Sequence, residues 1–313
     1  MNILIIGGTR FQGRYLVSEL LDAGHTVTVF HRGSHASDPR NRLTDIIGDR
    51  NIHADLARIA NCEYDVCIDT CAYFPSQIAL LTDILKTRHY CLVSSVYVYE
   101  DRDSVLSEDA QLLRIPSGPS PEPTPDNYGV LKVLCEKEAR LRFGNSTLIL
   151  RPSIIIGIGD HTERLLFWLR LAAVHGKRLD IASREPIVQL VDVRDLARFT
   201  AKCAVSQREG AVNVCGIPIG LSSLLDSIET ITNRKLSRAT VEEKDLTRLD
   251  LHGLPFTENG HFARHETLLS QAWGFTGRDL RDSLMDIHSA YQHHGFAMKK
   301  FQAEESAVLR LFA

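Results

Sequence analysis

No stretch of this sequence approaches the roughly 18 consecutive apolar residues of a transmembrane helix. No basic, apolar and small-residue succession of a secretory leader is present either. Neither sign of charge is in excess: 36 Lys and Arg stand against 39 Asp and Glu, a formal net charge of −3. A general electrostatic pull toward nucleic acid or membrane is therefore missing. Zinc spacing is absent as well. The seven cysteines (Cys62, Cys67, Cys71, Cys91, Cys135, Cys203, Cys215) form no Cys-x-x-Cys pair and no His/Cys cluster. Odd in number and mostly set in apolar patterns, they read as small hydrophobes of a reduced, cytoplasmic protein without structural metal.

What is present is organised around Met1 to Gly33. Asn2 to Ile6 is a short apolar run that stops at Gly7-Gly8. After Gly13 the pattern turns helical (Leu16, Leu20, Leu21), Ala23-Gly24 closes the helix, and Thr26 to Phe30 is a second strand. Strand, glycine turn, helix and strand within about thirty residues make the opening βαβ unit of a dinucleotide-binding sheet. Gly7 turns the chain out of the strand; Gly8 and Gly13 remove side chains where backbone meets a pyrophosphate and where helix meets strand. Gly7, Gly8, Thr9, Arg10, Phe11, Gln12 and Gly13 form the predicted phosphate loop. The helix beginning near Arg10 to Gln12 aims its free N–H groups at the phosphate. The middle glycine of Gly-x-x-Gly-x-x-Gly is replaced by Arg10.

After the second strand come His31 and Arg32. NAD sheets commonly carry an acid here for the adenosine ribose, whereas an Arg suits the 2′-phosphate of NADP. The acid is missing, so NADP is favoured over NAD, with Arg10 near enough to assist Arg32. Asp45 to Gly48 reads as a third strand, followed by Asp49 as an acceptor for the adenine amino group. Asp65 to Asp69 is a fourth strand leading to Cys71 and Ala72, small residues beside the cofactor. Tyr90 to Val98 is a fifth, with Ser94 and Ser95 emerging at the nicotinamide. Glu100 to Asn127, with five prolines between Pro116 and Pro125, is a surface loop and a candidate site cover.

A helix starts at Tyr128, and Tyr128 and Lys132, four apart, project from one face. Thr147 to Leu150 is a strand ending at Arg151, with Pro152 and Ser153 as further cofactor contacts. Beyond it, Leu165 to Val174 and Leu221 to Asn233 read as helices, Ile187 to Val193 as a strand, and Val212 to Cys215 as the last strand of the main sheet. The class is α/β: a doubly wound parallel sheet with a smaller, interleaved α/β substrate domain. The sheet domain takes residues 1–153 and about 187–215. The substrate domain takes about 154–186 and 216–313.

Ser95, Tyr128 and Lys132 carry the chemistry. A Tyr hydroxyl titrates near 10, too high for a good base at neutral pH. A nearby ammonium lowers that value, so the phenol can exchange a proton with a substrate oxygen while hydride moves to or from a nicotinamide. Ser95 holds the same oxygen by a hydrogen bond.

GGTRFQG (7–13), SSVYVY (94–99), YGVLK (128–132), RPSIIIGIGD (151–160) and VDVRDLA (191–197) together resemble an extended short-chain dehydrogenase/reductase of the NAD-dependent epimerase/dehydratase type. The resemblance implies a Rossmann-type sheet, an enzyme using NAD or NADP, and a sugar-like, possibly nucleotide-sugar, substrate bound between the domains. It places the catalytic serine at Ser95 and the second-domain motif aspartate, close to the substrate, at Asp192. Arg164, Arg170 and Arg184 are candidate holders of a substrate phosphate. Family dehydratases carry Asp-Glu after the strand-five hydroxyl; Val96-Tyr97 stands here, so epimerase or reductase is expected. The GGTRF form resembles a subgroup of epimerase-like reductases and stem-loop RNA binders; the intact Tyr/Lys pair and the acidic balance favour the enzyme. The alternatives are a non-catalytic cofactor- or RNA-binding protein of the same fold and a reductase of small phenolic or isoflavonoid-like ketones. Family members often form homodimers through the Tyr128 helix and a neighbour.

Overall fold

The apolar run Asn2–Ile6 forms strand β1, and Ile3 to Ile6 are at most 1% exposed. Such burial on both faces belongs to a parallel strand covered by two helix layers. A computed structural model describes residues 1–35, 43–101, 103–115, 124, 127–182, 185–257 and 264–313. After the glycine turn come α1 (Gln12–Asp22), β2 (Thr26–His31), β3 (Thr44–Ile47), α2 (His53–Leu56), β4 (Glu63–Asp69), α3 (Pro75–Thr82) and β5 (Lys86–Val93). Then follow β6 (Val105–Leu106), α4 (Tyr128–Phe143), β7 (Thr147–Pro152), β8 (Ile154–Ile156), α5 (Arg164–Ala173), β9 (Lys177–Ala182), β10 (Ile187–Asp192), α6 (Val193–Val205) and β11 (Gly210–Val214). The chain continues through β12 (Pro218–Gly220), α7 (Leu221–Thr232), β13 (Ser237–Glu242), β14 (Arg264–His265), α8 (Leu268–Ala272), α9 (Leu280–His294) and α10 (Gln302–Arg310).

Seven strands form one parallel sheet in the order β11-β7-β5-β4-β1-β2-β3. Helices α1 and α6 pack together over one face; α3 and α4 pair on the other. This is the Rossmann-like arrangement. The winding direction reverses between β1 and β4, where a doubly wound sheet opens a crevice at the strands' carboxyl ends. Register brings those ends level: Ile6 pairs with Phe30 and Asp69, and Val93 with Leu150. The residues that follow them (Gly7, Thr70, Ser94) leave the sheet along one edge.

A second apolar core gathers α5, α7, α9 and α10 with β9, β10 and β13 around Phe167 and Trp168. The indole N–H of Trp168 donates to the Pro255 carbonyl at 3.2 Å. Strand β10, expected in the main unit, instead pairs with β8 in parallel and β12 in antiparallel fashion. The fifth strand stops at Val93 rather than Val98, because Ser95 opens a short 3₁₀ turn over Val96–Val98 and accepts the Tyr97 N–H at 3.3 Å. Of the stretch expected to cover the site, residues 102, 116–123, 125 and 126 lie outside the described residues. Its described part is strapped to neighbouring chain, with Leu113 N–H on the Val98 carbonyl at 2.8 Å and β6 paired to β14. Among the described residues no helix is long and apolar enough to cross a membrane.

Candidate active site

A cleft of about 710 Å³ runs along the carboxyl edge of the sheet, across the reversal point. Its floor is the glycine turn. Gly7 and Gly8 sit at φ 104° and 85°, in the region that side chains disfavour. A Cβ on Gly13 would stand 2.6 Å from the Gly8 Cα, so helix and turn touch backbone to backbone. Gly13→Ala is therefore expected to cost about 1–3 kcal/mol by overpacking and to weaken dinucleotide binding, read by a thermal melt and a cofactor titration. Phe11, the N-cap of α1, provides no side-chain cap, which leaves the helix's positive end for an anion. Gln12 adds a buried side-chain amide whose Nε2 has no partner among the described residues. A cradle without Cβ atoms, an uncapped helix end and an orphaned donor fit the pyrophosphate of a dinucleotide.

At one end of the cleft stand His31, Arg32, Ser34 and His35, facing Gly48 to Asn51. His31 is committed within the protein: one ring nitrogen pairs with Asp45, and Nδ1 accepts the Gly33 N–H at 3.0 Å. Arg32 is exposed and has no partner among the described residues. Oδ1 of Asp49 accepts the Asn51 backbone and side-chain N–H groups at 2.8 and 2.7 Å. Pro152, Ser153 and Cys71 line the cleft; burial pushes the Cys71 thiol above its usual value. Ala72 does not line it. Its side chain lies in the core, and its carbonyl takes a bond from Lys132 at 2.8 Å.

The end of β5, the 3₁₀ turn and the first turn of α4 bring Ser95, Tyr128 and Lys132 together. Burial pushes the Tyr128 phenol above its usual 10; a hydrogen bond with Ser95 and the charge of Arg164 pull it back. Lys132, 3% exposed, donates to the carbonyls of Ala72 and Val93, both at 2.8 Å, with its ammonium 6.0 Å from the Tyr128 ring centre. In this structure the influences that lower the phenol come from Ser95 and Arg164. Two carbonyls already hold the ammonium, and one N–H remains.

Ser94, expected at the cofactor, lines the cleft, but its hydroxyl donates to Glu136 at 2.6 Å. Glu136 accepts from Nε and Nη2 along one edge of the Arg151 guanidinium, at 3.0 and 2.7 Å. Arg151 continues to the Tyr99 hydroxyl and the Glu108 carbonyl, each at 2.9 Å. Burial pushes Tyr99 up to about 12. The network ties the serine segment to α4, β7 and the 99–113 strap.

Several lining residues escaped sequence reasoning. The Tyr73 ring stands 6.3 Å from that of Tyr128 and lies over the Lys132 ammonium at 5.4 Å. Tyr97 meets Tyr128 edge-on at 6.2 Å. Arg50, Asn51, His161 and Thr162 also face the cleft. Single loop residues of this kind have no periodicity; the one usable signal was that each lies within a few residues of a recognised motif.

Of the second-domain candidates, Arg164 lines the cleft. Asp192 does not. It caps α6 by accepting the Arg194 N–H at 2.9 Å and also takes the Ser283 hydroxyl at 2.7 Å. Burial pushes its carboxyl up, but the bonds from Arg194 and Ser283 outweigh that and hold it below the usual range. Arg170 is spent on Glu305 and the Phe296 carbonyl, both at 2.6 Å. Arg184 lies outside the described residues.

A family model described as NAD dependent epimerase/dehydratase family matches residues 3–215. No curated protein matches the chain. The chain is similar to MoeE5 in complex with UDP-glucose and NAD, at 19% identity and TM-score 0.72, over 94% of this chain and 99% of that one. It is similar to a nucleoside-diphosphate-sugar epimerase from Pseudomonas aeruginosa, at 18% identity and TM-score 0.74, over 95% and 99%. It is also similar to a dTDP-glucose 4,6-dehydratase from Bacillus anthracis in complex with NAD, at 15% identity and TM-score 0.72, over 94% and 97%. At these identities the likeness shows the fold.

Proposed function

The chain belongs to the NAD-dependent epimerase/dehydratase family, and from that premise we propose that it is an NAD(P)-dependent oxidoreductase or epimerase acting on a hydroxyl or carbonyl carbon of a nucleotide sugar. One observation carries the reading: the half-buried Tyr128 phenol, pulled down by Ser95, lies with Ser95 and Lys132 in the same cleft as the glycine cradle. A bound dinucleotide would supply the site with a hydride acceptor or donor. The chain's own residues do the rest. Ser95 and Tyr128 hold one substrate oxygen between two hydroxyls, and Tyr128 moves the proton at that oxygen. Lys132, pinned by two carbonyls, offers its third N–H to the cofactor ribose. With its pKa raised, the phenol rests protonated at neutral pH, the form required to reduce a carbonyl.

Val96 and Tyr97 stand where a dehydratase of this family carries Asp-Glu, so elimination of water is not proposed. MoeE5 has been solved with UDP-glucose and with UDP-glucuronic acid, which supports a nucleotide sugar as the substrate class here.

NADP is the proposed cofactor. Arg32 is an exposed cation at the adenosine end, and the ribose-binding acid expected of an NAD site at the end of β2 is replaced by His31 and Arg32. Arg32→Ala is expected to lower NADPH affinity about tenfold, one charge-assisted phosphate contact, with NADH affinity nearly unchanged. Fluorescence titration of both dinucleotides checks this; equal losses for the two would remove Arg32 from the 2′-phosphate. The decisive first experiment is mass spectrometry of whatever dinucleotide leaves the denatured protein. Stoichiometric NAD⁺ would identify an epimerase that retains its cofactor and overturn the Arg32 assignment. An empty protein preferring NADPH supports a reductase, and no binding of either dinucleotide defeats the enzyme reading.

A further inference from the structure

The far end of the cleft carries positive charge that hydride transfer leaves unused. Among the described lining residues Asp49 is the sole acid, and it belongs to the adenosine end. Arg10, His161 and Arg164 line the cleft together with Ser95, Tyr97 and Tyr128. Arg10 stands where the phosphate-loop pattern has a glycine; it is exposed and has no partner among the described residues. Among the described residues Arg164 uses only Nε, on the Thr162 hydroxyl at 3.3 Å, and neither terminal amino group has a partner.

The acids of the same loop are engaged elsewhere. Asp160, 8% exposed, takes the Thr162 N–H and hydroxyl, both at 2.8 Å. Glu163 takes the backbone N–H groups of Lys299 and Lys300 at 2.9 and 2.6 Å. Thr162, fixed by Asp160, in turn fixes Arg164. The His161 ring meets Phe11 edge-on at 6.2 Å and ties this loop to the glycine turn that carries Arg10. Electrostatics agree with the placement: Arg164 acts on both Tyr128 and His161, and Arg10 on both Tyr73 and His161. Two guanidinium groups without an acid partner among the described residues, lining the cleft that also holds the half-buried Tyr128 phenol, are a site for an anion.

We propose that Arg164, assisted by Arg10 and His161, binds an anionic group, a carboxylate or a phosphate ester, carried by the substrate next to the carbon whose oxygen Ser95 and Tyr128 hold. This rests on the reading of the cleft as a sugar-converting site and narrows it to acidic or phosphorylated sugars. It differs from simple capture of a nucleotide's diphosphate, because it puts the anion beside the reacting hydroxyl, in the cleft that Arg164 and Tyr128 both line. A diphosphate could nevertheless occupy the same guanidinium, and the test separates the two sources.

The full chain, saturated with reduced dinucleotide so that nothing turns over, is titrated calorimetrically with two matched pairs. One is UDP-glucuronic acid against UDP-glucose; the other is glucose 6-phosphate against glucose. The charged partner is expected to bind about tenfold tighter or more in at least one pair. The ratio should fall toward one in Arg164→Met and recover in part in Arg164→Lys. A poorly folded variant lowers both affinities without changing their ratio, so the ratio is the quantity read. A wild-type ratio near one in both pairs, a ratio retained in Arg164→Met, or no binding of any probe overturns the inference. If UDP-glucose and UDP-glucuronic acid bind equally and Arg164→Met weakens both alike, Arg164 holds the diphosphate; the nucleotide-sugar reading then survives and this one falls. If the UDP pair is silent while the phosphate pair keeps its ratio, the anion site stands and the nucleotide reading falls.

Discussion

Tyr128→Phe is expected to lower kcat by about two to four orders of magnitude, the usual worth of general acid–base catalysis. Dinucleotide affinity should change little. The substitution is conservative where it matters for folding. Tyr128 packs through its ring against Tyr97 and Tyr73, at 6.2 and 6.3 Å, and Phe keeps both contacts. Only the hydroxyl, and its bond with Ser95, is lost. The pH profile gives an independent readout. In the oxidative direction the active form is the phenolate, and the Ser95 bond holds the phenol's pKa down against burial. Ser95→Ala removes that bond, so the rising limb of kcat/KM should move to higher pH. A limb that stays in place would mean that another group titrates, and retained turnover in Tyr128→Phe would end the catalytic assignment.

The opening βαβ unit was legible in the sequence because its signals are local: a short apolar run, two glycines, a 3.6-residue stripe and a β-branched strand. The convergence of Ser95, Tyr128 and Lys132 was legible only through motif order, since the first lies 33 positions from the second and nothing in either segment states the distance between them. Sheet membership was legible for Val212 to Cys215, read as the last strand of the main sheet and found there as β11, but not for the strand before it. Ile187–Asp192 alternates and buries like any core strand, but whether it joins β7 or β8 depends on partners dozens of residues away. β13 was missed because only Val241 in it is buried, leaving no hydrophobic period to detect. Side-chain commitments fared worst. Ser94, His31, Arg170 and Asp192 looked available, and each is taken up by an acid, an arginine or a backbone group supplied from elsewhere in the chain. Charged residues in a motif announce polarity; which of them remains unpaired in the cleft is decided by packing.

That distinction makes Asp69 the most consequential residue that sequence reasoning passed over. It ends β4, is fully buried, and takes the Arg50 guanidinium at 2.7 and 2.6 Å, the Tyr90 hydroxyl at 2.8 Å and the Cys71 N–H at 3.1 Å. Asp69→Ala leaves a guanidinium in the interior without its counter-ion and is expected to destabilise the fold by about 3–5 kcal/mol. Urea unfolding with an unchanged m value would measure it. Burial pushes the Asp69 carboxyl up, but Arg50, the Cys71 N–H and the Tyr90 hydroxyl together hold it below its usual 3.8. A depressed folded-state value means that the carboxylate's stabilisation is complete above 3.8 and is lost as the pH falls through the lower folded value. The gap between wild type and Asp69→Ala should therefore be constant near neutrality and close only in strong acid. Replacing both partners, Arg50→Met with Asp69→Leu, should recover a large part of the loss, since two matched apolar groups avoid the desolvation cost that a lone charge cannot. Recovery should be incomplete because Tyr90 and the Cys71 N–H still lose their acceptor. Arg50 and Cys71 also line the cleft, so dinucleotide affinity should fall in the single variant even at temperatures where it remains folded. A single-variant loss below about 1 kcal/mol would mean that Arg50 reaches solvent through the cleft, and the pair would then count as a surface ion pair.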